Sequence, residues 1–376
     1  MNRILALSLG AGFCFLFLAD GIYGDGEISM THRIVDERGP INPWTKILAD
    51  IDGDGLQDIV IGGQSGPLVW HQSPQWEKRP IAEGGYNTVD GEAADIDGDG
   101  DPDIVMGGLF WYENPGKFDK ANPSFWKTHT IASHPTHDIE IADLDKDGKL
   151  DIVTRDQSEF GAKKGNEIHL WLQQENDRWK EADISCPHGE GIDLADIDRD
   201  GDEDIVIGGV WYENPGKIDA AWTARSYGEW HPNATVQAAD INGDGRLDMV
   251  LTPSELKEQF YKISWFEAPP DPKQDSWKEH VIIPKIECVI HGLQTADING
   301  DSSIDVIYSE MHQGQDPDEF VIMLNLEQGE KWIKQTVSTR GSHYIQAGDV
   351  DGDGDIDLMG ANWSGEYQPV ELWMNN

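Results

Sequence analysis

Cysteine is scarce: three residues in 376, at positions 14, 186 and 288. That excludes a disulfide framework as the source of stability, and leaves Cys186 and Cys288 free either to bridge or to stay reduced. Positive charge is scarce too. Twenty-eight Lys and Arg face seventy Asp and Glu, a formal net charge of −42. A field of that sign does not attract nucleic acid or an anionic membrane. Helical periodicity is missing throughout the chain. Long apolar runs are missing after the first twenty or so residues, so no membrane span is expected beyond them. The N-terminus itself is "MNR" followed by the apolar stretch 4–19, which reads as an export signal rather than a span. Residues 1–24 are expected to be the signal peptide, cleaved between Ala19 and Gly26, and 25–376 the mature domain, secreted or periplasmic. Phe13 before Cys14 speaks against a lipoprotein.

A compact chain this acidic repels itself, so either part of it is disordered or bound cations neutralise the excess. Fifteen tryptophans argue against disorder, and the placement of the aspartates decides for cations. Seven segments align, beginning "ADIDGDGLQDIVIGG" at Ala49 and ending "GDVDGDGDIDLMGAN" at Asn362. Their first aspartates are spaced 44 to 57 residues apart, room for one blade of four short strands. Each unit runs apolar strand, aspartate loop, β-branched strand ("DIVIGG"), aromatic strand ("FWYEN", "ISWFE") and a strand opening near Trp ("WKTHTIA"). In the fourth unit the last strand, "RSYGEWH", is degenerate. The seventh unit stops after "VELWMNN", and "MTHRIVD" at 30–36 has the pattern of its missing strand. The expected fold is all-β: a seven-bladed β-propeller of four-stranded blades, closed by the N-terminal strand.

The loops follow D-x-[DN]-x-D-G-x-x-D. Positions 1, 3, 5 and 9 are Asp50, Asp52, Asp54 and Asp58 in the first; Asp95, Asp97, Asp99 and Asp103 in the second; Asp143, Asp145, Asp147 and Asp151 in the third. The fourth has Asp196, Asp198, Asp200 and Asp204; the fifth Asp240, Asn242, Asp244 and Asp248. The sixth has Asp297, Asn299, Asp301 and Asp305, with Ser302 replacing the loop glycine; the seventh has Asp349, Asp351, Asp353 and Asp357. Oxygen donors at this spacing, with glycine at position 6, suit calcium, and up to seven structural calcium sites are expected. The repeated "DIDGDGxxDIVxGG" resembles the FG-GAP/VCBS-type repeats of integrin-like β-propellers. That resemblance implies fold and calcium loops, and leaves function open.

Inner strands line a propeller's channel, so residues entering them gather at its mouth. In register these are Trp44, Val89, His137, Glu190, Ala234, His291 and His343, with His188 and His231 slightly earlier in their repeats. Loops between second and third strands open on the same face. They are expected to be long in repeats 3, 5, 6 and 7, bringing Arg155, Lys163, Lys164, Glu255, Glu310, His312, Trp363 and Tyr367. His137, His291 and His343 are the candidate ligands of one zinc or manganese ion, with Glu190 or Glu310 beside them; the alternative for each is a hydrogen bond between blades. "HDIEIADLDKDG" is similar to a channel-strand motif in the propeller domain of aldos-2-ulose dehydratase, and secreted ulvan lyases are a related analogy. These resemblances imply metal-assisted elimination on a sugar or uronate. His188, His312 and Tyr367 would transfer protons, Arg155 would hold an anionic group, and Trp363 would stack on the sugar. A non-catalytic propeller for glycan or protein binding is the alternative; oligomeric state is left open. The repeated "WYENPGK" at 111–117 and 211–217 reads as structural.

Overall fold

The computed structural model describes residues 27–376 except 87–89, 119–123, 157–165, 177, 218–219 and 232. The signal segment, Val89, Lys163 and Lys164 therefore lie outside the described residues. Seven antiparallel four-stranded sheets are arranged as blades. Their inner strands are Thr45–Ala49, Gly91–Ala94, Asp138–Ala142, Asp193–Ala195, Ala234–Ala239, Ile290–Ala296 and Tyr344–Gly348. Each touches the next, and the last touches the first, so the ring is closed. Blade 7 takes its outer strand from the N-terminal side: Met30–Asp36 pairs with Val370–Asn375, Met30 opposite Asn375 and Ile34 opposite Glu371. This seam covers an edge that would otherwise present unpaired backbone groups.

Second strands are apolar without alternation because blades cover both of their faces. Asp58–Gly62 is buried at every residue, and Ile47, Val60 and Trp70 of blade 1 pack with Ile104 and Tyr112 of blade 2. Outer strands carry side chains that cover the third-strand tryptophans. His129 stacks on Trp111 (centroids 4.0 Å apart, planes at 9°) and His280 on Trp265 (4.1 Å, 9°). Arg225 lies over Trp211 at 5.7 Å. Glu113, Glu267 and Glu213, two residues after those tryptophans, bind the same side chains. For Arg225 the ring face attracts the guanidinium and the carboxylate fixes it there.

Side chains at the ends of third strands latch each blade to the aspartate loop of the blade before it. Asn114 donates to the Ile51 carbonyl, Gln173 to Ile96, Asn214 to Leu144, Asn325 to Ile241 and Asn375 to Ile298, all at 2.8–3.0 Å; Ser73 donates to Val350 across the seam at 2.9 Å. The asparagine of "WYENPGK" is thus an inter-blade latch as well as the start of a turn. In blade 5 the residue after the third strand is Ala268, which has no side-chain donor. There Lys273 crosses to blade 4 instead, meeting Asp198 and Glu213.

Two expectations are corrected, and the state of the two cysteines, left open by the sequence, is resolved. The second-to-third connection of blade 5 is short: only Ser254 and Glu255 separate strand Asp248–Pro253 from strand Leu256–Glu267, and the extra residues form a long hairpin with bulges. The outer strand of blade 4 is Thr223–Ser226, directly after Trp222, and "GEWH" lies beyond it. Cys186 and Cys288 are both free thiols.

Candidate functional site

On one side of the ring each aspartate loop is held by its own backbone. The position-1 carboxylate accepts amides from later in the loop: Asp50 from Asp54 (3.0 Å) and Gly55 (2.9 Å), Asp297 from Asp301 (3.0 Å) and Ser302 (2.8 Å). Position 6 is left-handed in all seven loops, including Ser302 at φ 71°; glycine supplies this at no steric cost and serine does not. The position-9 aspartates are buried and tie two strands together. Asp58 accepts from Ile51 (3.2 Å) and from Ser73 (2.7 Å). Burial pushes the carboxyls of Asp58, Asp103, Asp151, Asp248 and Asp305 up to about 7, Asp204 to about 8 and Asp357 to about 6. Oxygens of Asp50, Asp52 and Asp54 lie within 4.8 Å of one another, as do those of Asp95, Asp97 and Asp99 and those of Asp143, Asp145 and Asp151. An all-oxygen, carboxylate-rich donor set of this kind fits calcium. Loop 4 differs, because the Lys273 ammonium contacts Asp198 and lies 3.9 Å from Asp200.

The other site is at the channel mouth. His137, Glu190, His291 and His343 line one cavity of about 60 Å³, and all four are buried. The His291 and His343 rings stack at 4.8 Å, and His137 lies edge-on to His291 at 6.1 Å. Glu190 sits between them, 3.7 Å from Nε2 of both His137 and His291. Its Oε1 accepts from the buried Ser254 hydroxyl, while Oε2 has no hydrogen-bond partner. Glu255 completes the group, with Oε1 2.8 Å from His291 Nε2. The short blade 5 turn holds Glu255 at φ 57°, a conformation that costs free energy at a non-glycine residue and clusters at functional sites. One ligand atom from each of Glu190, Glu255 and His291 falls within 4.8 Å of the others.

Burial opposes charge on His137, but Asp138, Glu190 and Glu255 outweigh it and push the imidazole up to about 9. Burial likewise opposes charge on His291, and Glu190 and Glu255 again prevail. His343 is held well below the usual range by burial, then by His291 and Lys46. Its Nδ1 has no hydrogen-bond partner. Below the mouth, burial pushes Asp90 and Asp193 up to about 7 and Glu92 to about 8. Asp90, Asp138 and Asp193 also staple neighbouring blades, accepting the amides of Ile139, Gly191 and Ala238. Sequence reasoning missed these staples; the acidic residues entering three successive inner strands were their signal.

The remaining candidates fall elsewhere. Arg155 is buried and spends its guanidinium on three carbonyls: Glu190 (2.8 Å), Gly191 (2.9 Å) and Pro187 (2.7 Å). It therefore shapes the loop that carries His188 and Glu190. Tyr367 donates to Glu371 at 2.5 Å beneath Arg340, in the outer part of blade 7. Glu310 accepts the Glu319 amide at 2.8 Å and does not line the channel cavity. His312 pairs with the Ser364 hydroxyl at 2.8 Å and meets Trp363 edge-on at 5.5 Å. Trp363 also packs against Trp44 (5.3 Å) and His343 (5.8 Å), an aromatic shelf beside the histidines.

The chain is a seven-bladed β-propeller. Its repeats are FG-GAP-like: that family's profile matches residues 50–106 and 291–360, less than half of the chain. No curated protein matches. Among solved structures, BBS1N in complex with ARL6DN is similar at a TM-score of 0.54, with 11% identity over 93% of this chain and 96% of that one. A second crystal of that complex, soaked with lead, gives the same score at 12% identity. The V. cholerae biofilm matrix protein Bap1 aligns at a TM-score of 0.32 and 12% identity, over 90% of this chain and 69% of that one. The likeness to the BBS1N complex shows the fold alone. Among the described residues no helix is long and apolar enough to cross a membrane.

Proposed function

We propose that the channel mouth is a metal centre in a secreted, metal-dependent carbon–oxygen lyase acting on a sugar or uronate. The observation that carries this is the buried Glu190 carboxylate. One of its oxygens has no donor, and it stands among His137, His291 and Glu255. Leaving a buried carboxylate oxygen unpaired is costly, and a cation answers that cost. Nitrogen and carboxylate donors together suit zinc or manganese. Glu190, Glu255 and His291 hold the ion, with His137 and His343 beside them. The ion, when bound, supplies Lewis-acid stabilisation of a developing enolate.

The sugar ring lies against Trp44 and Trp363 beside the histidines, with one substrate group reaching into the channel cavity. His312, whose imidazole burial holds below its usual range, stands at that shelf to take a proton. His188, two residues before Glu190, is the second proton-transfer candidate. Arg155 and Tyr367 have structural partners and drop out of the chemistry. Calcium in the aspartate loops stabilises the blades.

Metal analysis of the calcium-saturated protein tests this. Glu190→Gln is expected to hold one transition-metal equivalent fewer than the wild type, with unsaturated product formed from an acidic polysaccharide only by the wild type. Metal without turnover on any acidic or neutral glycan supports the second reading, a calcium-stabilised binding propeller. The commitment of Arg155 and Tyr367 elsewhere favours that reading.

A further inference from the structure

We propose a second transition-metal site, on the outside of blade 3, formed by His134, His169, Glu181 and Asp183. His169 stands on the third strand, Glu167–Gln174, directly opposite Asp183 on the outer strand, Arg178–Ser185. Glu181 is two residues from Asp183, so both carboxylates share one face of that strand and flank the imidazole. The His169 Nδ1 lies 2.7 Å from Asp183 Oδ1 and 3.9 Å from Glu181 Oε1. His134 arrives from another blade's side, on the segment that crosses from blade 2 to blade 3. Its ring centroid is 4.1 Å from that of His169, and one ligand atom from each of His134, His169 and Glu181 lies within 4.8 Å of the others.

The outer-strand histidines of two other blades show what a purely structural pair looks like. His129 and His280 lie flat on a tryptophan, planes at 9°, and each gives Nε2 to one third-strand glutamate, Glu113 or Glu267. Blade 3 departs from that plan. His134 and His169 are tilted at 59°, and two imidazoles converge with two carboxylates. His134 Nδ1–H donates to the Pro135 carbonyl at 2.8 Å, which leaves the Nε2 lone pair for a ligand. Two imidazoles and two carboxylates form a borderline donor set, suited to zinc, cobalt, nickel or copper rather than calcium. Closing a shell needs donor distances of about 2.0–2.2 Å. Glu181 and Asp183 are about half exposed (48% and 51%) and can swing to meet them. The bound ion would clip the blade 2–3 crossing to the outer edge of blade 3.

Cobalt(II) titration of the full chain, calcium-saturated and carrying Glu190→Gln to disable the channel mouth, reads this site alone by its visible ligand-field absorption. One saturable equivalent is expected. His134→Gln should abolish the absorption, and Asp183→Asn should weaken binding about tenfold or more. In the Glu190-intact chain the same His134→Gln change should lower cobalt stoichiometry by one. An unchanged titration in His134→Gln, or no saturable absorption in the Glu190→Gln chain, overturns the proposal whether or not the channel mouth binds metal.

Discussion

On the aspartate-loop side of the ring, equivalent positions of seven repeats carry the same residue types and make the same hydrogen bonds. At the channel mouth the equivalent positions among the described residues hold Trp44, His137, Glu190, Ala234, His291 and His343, and of the neighbouring blades only 6 and 7 share a residue type there. The first pattern is what stability asks for. Every blade has the same turn to hold and the same neighbour to grip, so the same solution recurs. The second pattern is what a single site asks for. Ligands must converge on one point near the axis, so blades are free to differ in what they contribute. In a cyclic fold, departure from the repeat is therefore the better pointer to function and adherence to it the better pointer to stability.

That contrast is sharpest under chelation. Removing divalent ions should lower the melting temperature by the largest amount of any change considered, because each site saturated at a hundred times its Kd contributes about 2.7 kcal/mol. Calorimetry with and without chelator measures it, and an unmoved transition would break the assignment of stability to the loops. Next in size is Asn325→Ala. It removes the side-chain bonds to Ile241, Ile304 and Gly329 at a fully buried position. The expected loss is about 3 kcal/mol in urea unfolding, since buried backbone groups are left unpaired.

The seam should respond to acid. Asp36 binds His71 at 3.0 Å and Lys78 at 2.7 Å on blade 1, and those partners, His71 foremost, hold its carboxyl well below the usual range despite burial. A depressed folded-state pKa means its stabilisation is complete above about pH 4 and fades as pH falls towards the lowered value. Asp36→Asn should cost about 2 kcal/mol at neutral pH and flatten that part of the acid unfolding profile. The smallest effect is expected from Lys273→Met, a stability change under about 1 kcal/mol. Its use lies in stoichiometry. With the ammonium gone from Asp198 and Asp200, calcium titration should show one more equivalent than in the wild type. An unchanged count would mean that loop 4 already behaves like the others.

The blade plan and the strand at 30–36 were legible in the sequence because a repeat averages local signals over seven copies. So was the register of the three histidines, since position within a repeat fixes position around the axis. Glu255 was visible only as a loop residue. A two-residue turn where a long loop was expected is what brings it to His291. Arg155 and Tyr367 show the opposite case. Both residue types fit catalysis, yet in the fold Arg155 binds the carbonyls of a loop and Tyr367 binds Glu371 on the third strand of blade 7. The outer cluster at His134 and His169 gave no sequence signal, because its members come from two segments more than thirty residues apart.

By itself the sequence determined what is local and repeated: strand pattern, turn chemistry, aspartate spacing, and an acidic excess that asks for cations. Tertiary structure alone decided which side chains share a point in space. It set Lys273 into loop 4, Asn325 onto the preceding blade, and Glu190 between two imidazoles. Those contacts join residues 53 to 101 positions apart. They depend on the angle and distance between blades, which closure of the ring fixes and no short stretch of chain encodes.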